Sequence, residues 1–182
     1  MRAVLDANIF VTSWTLDVLL SLGEVGLFEP VWSNKIIDES LKAIANLRPS
    51  AITKARSMFD AANRAFPYAL EPPSDGCAFD ILPDTNDGHV LATAVTGCCQ
   101  AIVTYNIADF PFDKLGSFGI EATHPDDFLL LLFHKDPLLV TDAIRHLVCS
   151  KSHPPRTLEE ELAALKRNRL TKFSAALETA LS

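Results

Sequence analysis

The chain opens on a nearly continuous apolar run, residues 2–7 (RAVLDA), that ends in an acid. An apolar run with no polar alternation predicts a strand buried on both faces, as in a parallel sheet. Behind it the period lengthens. In WTLDVLLSLGEVG, residues Leu16, Leu19, Leu20 and Val25 are spaced for one helical face, with Thr12 or Ser13 placed as cap. After LFEPVWS, Ser33 is the next cap, and KIIDESLKAIANL puts Ile36, Ile37, Ser40, Leu41 and Ile44 on the core side. Pro49 and Ser50 punctuate, and a helix restarts through TKARSMFDAANRAF until Pro67 ends it.

Residues 68–83 hold three prolines and a glycine, which predicts a short strand around Tyr68 to Leu70 and then loop. DTNDGHVLATAVTG reads as a helix opened by Asp84 and closed by Gly97. QAIVTYN reads as a second buried parallel strand and GIEATH as a further short one. From there on only helical patterns appear. They are PDDFLLLLFH with Pro125 at its first position, PLLVTDAIRHLVCS, TLEEELAALKRN with Thr157 and Glu160 in capping-box spacing, and LTKFSAALETALS. Strand–helix alternation followed by helices alone predicts an α/β sandwich with a central, mainly parallel sheet and a helical C-terminal extension. The expected division is a catalytic body over residues 1–134 and an extension over 135–182 packed on the same domain.

Composition narrows the class without changing that picture. At 182 residues the chain fits one domain, and 48% apolar with 21% charged residues describes an ordinary soluble globular protein. The longest apolar run, Phe128 to Phe133, is far shorter than the roughly 20 residues that span a bilayer. No basic stretch with a cleavage site opens the chain, so no secretory leader is expected. Cys77, Cys98, Cys99 and Cys149 show no disulfide or zinc spacing. Cys98 and Cys99 read as small buried hydrophobes, and free thiols suit a reducing cytoplasm. The net charge of −7 argues against a protein that coats nucleic acid. The charge is uneven: residues 1–144 hold 9 Lys and Arg against 19 Asp and Glu, whereas residues 145–182 hold 7 against 4. The basic tail, with Arg145, Lys151, Arg156, Lys166, Arg167 and Arg169, can contact a phosphate backbone or can simply be a solvated helix face.

The candidate chemistry lies in acids set among apolar stretches. Asp6 ends the first strand. In open parallel sheets sites gather beyond the carboxyl ends of the strands, which gives Asp6 a ligand role over that of a turn residue. Asn8 can orient Asp6 or form an Asx turn. Glu39, on the helix from Lys35, fits a ligand or an exposed surface acid equally. Asp84 and Asp87 share one face of a helical turn. Asp84 also fits an N-cap, and Asp87 a helix-dipole partner. His89 reads as structural or supporting. Asp109 follows the second buried strand, with Thr104 and Asn106 beside it, and fits either a ligand or a turn before Pro111. Burying several carboxylates together is costly without a cation. An oxygen-only set points to Mg²⁺ or Mn²⁺, with positions left for phosphate oxygens. No Gly-rich phosphate loop, GxSxG elbow or HExxH competes.

The strings VLDANIF, EPVWSNKIIDES, LPDTNDGHVLATA, AIVTYNIADFP and GIEATHPDDFLL, in this order and continuing to HPPRTLEEELAAL, resemble a bacterial PIN-domain protein of the VapC-like toxin group. That resemblance implies a three-layer PIN-like sandwich and a Mg²⁺- or Mn²⁺-dependent ribonuclease leaving 5′-phosphate and 3′-hydroxyl ends. It also implies a cognate antitoxin and dimerisation. The family's catalytic acids fall on Asp6, Glu39, Asp87 and Asp109, with Asp84 beside the metal and Asn106 at a polar position next to the last acid. Asn8, Thr104, Asn106, Lys166, Arg167 and Arg169 are the expected RNA contacts. Gly88, where the family often has a basic or polar residue, and the Pro-rich 71–80 loop depart from the pattern. Two other classes compete. One is a catalytically silent PIN fold that only docks RNA or protein. The other is a haloacid-dehalogenase-type phosphatase, whose second Asp is Asn8 here.

Overall fold

A computed structural model describes residues 1–72, 81–151 and 156–181. Cys77 and most of the Pro-rich 71–80 loop lie outside them. The strands are β1 (Arg2–Leu5), β2 (Glu29–Ser33), β3 (Leu70–Glu71), β4 (Ala101–Val103) and β5 (Glu121–Thr123). The helices are α1 (Ala7–Val11), α2 (Ser13–Glu24), α3 (Asn34–Leu47), α4 (Ile52–Ala65), α5 (Gly88–Thr96), α6 (Phe112–Leu115), α7 (Pro125–Lys135), α8 (Pro137–Ser150), α9 (Leu158–Arg167) and α10 (Thr171–Leu181).

The chain forms two compact units: Met1–Val11 with Glu29–Thr123, and Thr12–Phe28 with His124–Ser182. The second unit therefore takes in α2 and α7 as well as the residues 135–182 expected for an extension.

In the first unit five strands form a parallel sheet in the order β3-β2-β1-β4-β5. β1 is central, and its Ala3, Val4 and Leu5 have no exposed surface, as a strand covered on both faces requires. The chain lays down β2 and β3 on one side of β1, then crosses over to add β4 and β5 on the other. The connectivity thus reverses between β1 and β4, and a crevice opens beyond their carboxyl ends. Leu5 pairs with Val103, so whatever follows Leu5 stands beside whatever follows Val103.

Two elements were not anticipated. β2 carries Pro30, which has no N–H to give a ladder, yet pairs with Ala3. The five-residue α1 starts directly after Asp6. Phe10 on α1 packs edge-on against Trp32 of β2 at 5.8 Å and against Phe59 of α4 at 4.9 Å. Ser33 caps α3 as expected, its side chain accepting from Ile36 N. The expectation for the two adjacent cysteines is corrected in part: Cys99 is buried and its thiol pushed up to about 12 by that burial, but Cys98 is exposed at φ +50. Neighbours on one tight turn cannot both face the core.

In the second unit the capping box of α9 is present, with Thr157 and Glu160 bonded reciprocally. The buried carboxylate of Asp126, on α7, accepts from Lys172 N at 3.0 Å and Phe173 N at 2.9 Å, closing the first turn of α10. Arg156 lies over the Trp14 ring at 3.6 Å and meets Glu161, which has no exposed surface, at 3.2 Å. No helix among the described residues is long and apolar enough to cross a membrane.

Candidate active site

Asp6 emerges from β1 into the crevice and is 6% exposed. Its carboxylate is held from two sides. Oδ1 accepts from Ala7 N at 2.6 Å; Oδ2 accepts from Asn8 Nδ2 at 2.6 Å and from Thr104 Oγ1 at 2.7 Å. Thr104, which has no exposed surface, follows β4 and also accepts from Asn8 Nδ2 and Asn106 N. Asn8 in turn accepts from Tyr105 N at 3.2 Å. The hydroxyl of Thr104 and the carboxamide of Asn8 therefore act on Asp6, and Thr104 has no surface left for a substrate. Burial pushes the Asp6 carboxyl up, the bonds from Thr104 and Ala7 oppose it, and the Glu39 charge adds to the rise.

Glu39 reaches the same region because α3 is tied to α1. The buried Ser40 hydroxyl lies 2.7 Å from Ile36 O and 3.3 Å from Ala7 O, one residue beyond Asp6. The Glu39 side chain is half-exposed, with Oε2 3.2 Å from His89 Nε2.

The structure separates Asp84 from Asp87. Asp84 caps a single 3₁₀ turn (Thr85–Asp87), accepting from Asn86 N at 2.9 Å, and is exposed. Asp87 precedes α5 but makes no side-chain capping bond, so its carboxylate is not consumed by the helix. Instead it stands among the other acids. Its carboxyl is pushed up to about 6, first by burial, then by the charges of Asp6, Asp109, Asp84 and Glu39. Asp109 closes a 3₁₀ turn (Ile107–Asp109) after β4 and is half-buried, and Asn106 is exposed beside it.

Asp6, Glu39, Asp84 and Asp109 are thus all close enough to act on Asp87, although Asp6 and Asp109 lie 103 positions apart in the sequence. Among the described residues no three His, Cys, Asp or Glu side chains are gathered tightly enough to hold a metal ion as they stand. The donor set nevertheless fits a hard divalent cation. It is oxygen-rich, it carries unrelieved like-charge repulsion centred on Asp87, and its first acid is fixed by three donors.

The predicted basic contacts belong to the second unit. Lys166 is paired with Glu178 at 2.6 Å, while Arg167 and Arg169 are exposed, Arg169 at φ +64 where α9 turns toward α10. Lys151 is paired with Asp17 at 2.7 Å. The contact between His89 and Glu39 was not visible in the sequence; the one local hint was His89 lying two residues after Asp87.

Residues 2–108 match the family described as PIN domain, and residues 125–179 that described as VapC50 C-terminal domain. A Mycobacterium tuberculosis protein named "Putative ribonuclease VapC50" is 54% identical over 44 residues, which cover 24% of this chain and 26% of that protein. The match thus spans about a quarter of the length of that curated relative. No solved structure matches the chain.

Proposed function

From the premise that this chain belongs to the PIN-domain family, we propose that it is a Mg²⁺- or Mn²⁺-dependent endoribonuclease, the toxin of a type II toxin–antitoxin pair. The observation that carries the reading is the carboxyl of Asp87, pushed up to about 6 by burial and by four surrounding acids at the switch point of the sheet. A phosphodiesterase needs such a cluster, whereas a module that only docks RNA has no use for the mutual repulsion.

The residues divide the work. Asp6, locked by Ala7 N, Asn8 and Thr104, is the fixed ligand. Asp87 and Asp109 complete the metal set, with Asp84 at its exposed margin and Glu39 as the fourth catalytic acid. A bound divalent cation would supply charge neutralisation for the phosphate and a lowered pKa for the attacking water. A bound cation would favour the ionised form of Asp87 and so draw its proton off at lower pH, which links metal binding to deprotonation. Asn106, exposed beside Asp109, is assigned in this reading to the substrate's polar groups. Arg167 and Arg169, exposed on the second unit, are the candidates for contacts with RNA phosphates. An antitoxin, a second copy of the chain and a cytoplasmic setting accompany this reading through the kinship with VapC-like proteins.

The test is cleavage of RNA by the purified chain with Mg²⁺, with Mn²⁺ and with chelator, alongside Asp6→Asn and Asp87→Asn. Cleavage that needs the ion and falls at least 100-fold in both variants is expected. Undiminished cleavage in both variants would remove the mechanism. Growth arrest on expression, relieved by the product of an adjacent small gene, tests the toxin role separately.

A further inference from the structure

Resting on that reading of the acids, we propose that His89 is a further ligand of the cation, giving a nitrogen donor through Nε2 beside the Glu39 carboxylate. This makes the site selective for nitrogen-accepting ions over Mg²⁺.

Three observations carry this. His89 Nδ1 lies 2.7 Å from Asn86 O. A carbonyl oxygen only accepts, so Nδ1 bears the proton, and in the neutral ring Nε2 is left with a lone pair. Imidazoles that bind metals are held in this way, the far nitrogen donating to a backbone carbonyl or a carboxylate. Second, Nε2 is a buried atom with no hydrogen-bond partner among the described residues, on a side chain only 11% exposed. Burying a bare ring nitrogen is unfavourable unless something binds it. Third, Nε2 lies 3.2 Å from Glu39 Oε2. Two ligands each about 2.1 Å from one ion are about 3.0 Å apart at right angles and about 3.4 Å apart in a tetrahedron. The observed separation falls between these.

The rival account is an imidazolium paired with Glu39. The distance permits it, but no hydrogen bond joins Nε2 to Glu39, so that pairing would be an ion contact that leaves the buried Nε2–H without an acceptor. In the neutral ring Nε2 and the carboxylate oxygen at this distance are two electron-rich atoms side by side, a contact that a shared cation relieves.

The consequence is selectivity. Oxygen donors accommodate Mg²⁺, which keeps its waters and rarely takes nitrogen. Imidazole favours later ions in the order Mn²⁺, Fe²⁺, Co²⁺. His89 is therefore expected to tilt the choice toward Mn²⁺ and Co²⁺.

The test uses the full chain labelled with ¹⁵N-histidine and titrated with Zn²⁺, a diamagnetic nitrogen-accepting probe. The Nε2 resonance of His89 should begin as an unprotonated nitrogen and shift on Zn²⁺ addition while Nδ1–H stays in place. Calorimetric titration with Co²⁺ and Mg²⁺ adds the second readout: His89→Gln should weaken Co²⁺ binding about tenfold and Mg²⁺ binding less than about twofold. An Nε2 signal that starts protonated, or that Zn²⁺ leaves unmoved, overturns the proposal, and so does an equal loss for both ions. The resonance experiment is made on the unaltered chain, so it decides even if His89→Gln fails to fold. Asp6→Asn should weaken both ions; if it weakens neither, the reading of the acids fails independently of His89.

Discussion

Replacing Asp87 with Asn should make the cation-free protein more stable at neutral pH, although it removes an acid assigned to catalysis. The Asp87 carboxyl moves from 3.8 to about 6 in the folded state. Below pH 3.8 it is protonated in both folded and unfolded chains and has no effect on stability. Between 3.8 and about 6 the unfolded chain releases the proton while the folded chain keeps it, so folding loses free energy as pH rises. Above about 6 the loss is constant. Unscreened, that displacement amounts to about 3 kcal/mol. Asp87 is only partly buried, and solvent screening reduces the figure to about 1 kcal/mol. No capping bond is lost with it, since the carboxylate makes none. Urea denaturation in chelator at pH 4, 5, 6 and 7.5 measures the difference. Asp87→Asn should match the unaltered chain at pH 4 and exceed it by about 1 kcal/mol at pH 7.5, and excess Mg²⁺ should reverse the order. Curves that run parallel from pH 4 to 7.5 would show that neither burial nor the charges of Asp6, Asp109, Asp84 and Glu39 raise this group.

Thr104→Val should cost about 1–3 kcal/mol in urea denaturation and at least tenfold in RNA cleavage, because Asp6 loses a buried donor and Asn106 N its acceptor. Full activity would show that Asp6 needs no such orientation. Asp126→Ala should destabilise the second unit by about 2 kcal/mol and reduce the helical circular-dichroism signal, since α10 loses its acceptor for two backbone N–H groups. Arg156→Ala should be more damaging than Arg156→Ala combined with Glu161→Gln, because the single change leaves a buried carboxylate with its cation gone. Neutralising Lys166, Arg167 and Arg169 together should lower the salt dependence of RNA binding by a slope of up to about 2; an unchanged slope would assign them to packing or to a protein partner.

What the sequence determined by itself is what neighbours within a few residues decide. Ser33 capping α3, Pro125 opening α7 and the Thr157–Glu160 box are complete within one helical turn, and each was legible. The acids stood out as well, as carboxylates interrupting apolar runs. The tertiary structure decided the rest, because the partners lie far along the chain. Thr104 finds Asp6 across 98 positions, and nothing adjacent to Thr104 foretells that its hydroxyl orients a carboxylate rather than meets RNA. Asp84 takes the capping role its position allowed, whereas burial among distant acids claims Asp87, which nothing beside it in the sequence foretells. β2 stayed hidden because Pro30 is a poor strand residue, and only pairing with Ala3 of β1 makes it one. Propensity is a property of a few consecutive residues; pairing, burial and electrostatic crowding belong to segments that meet only after folding.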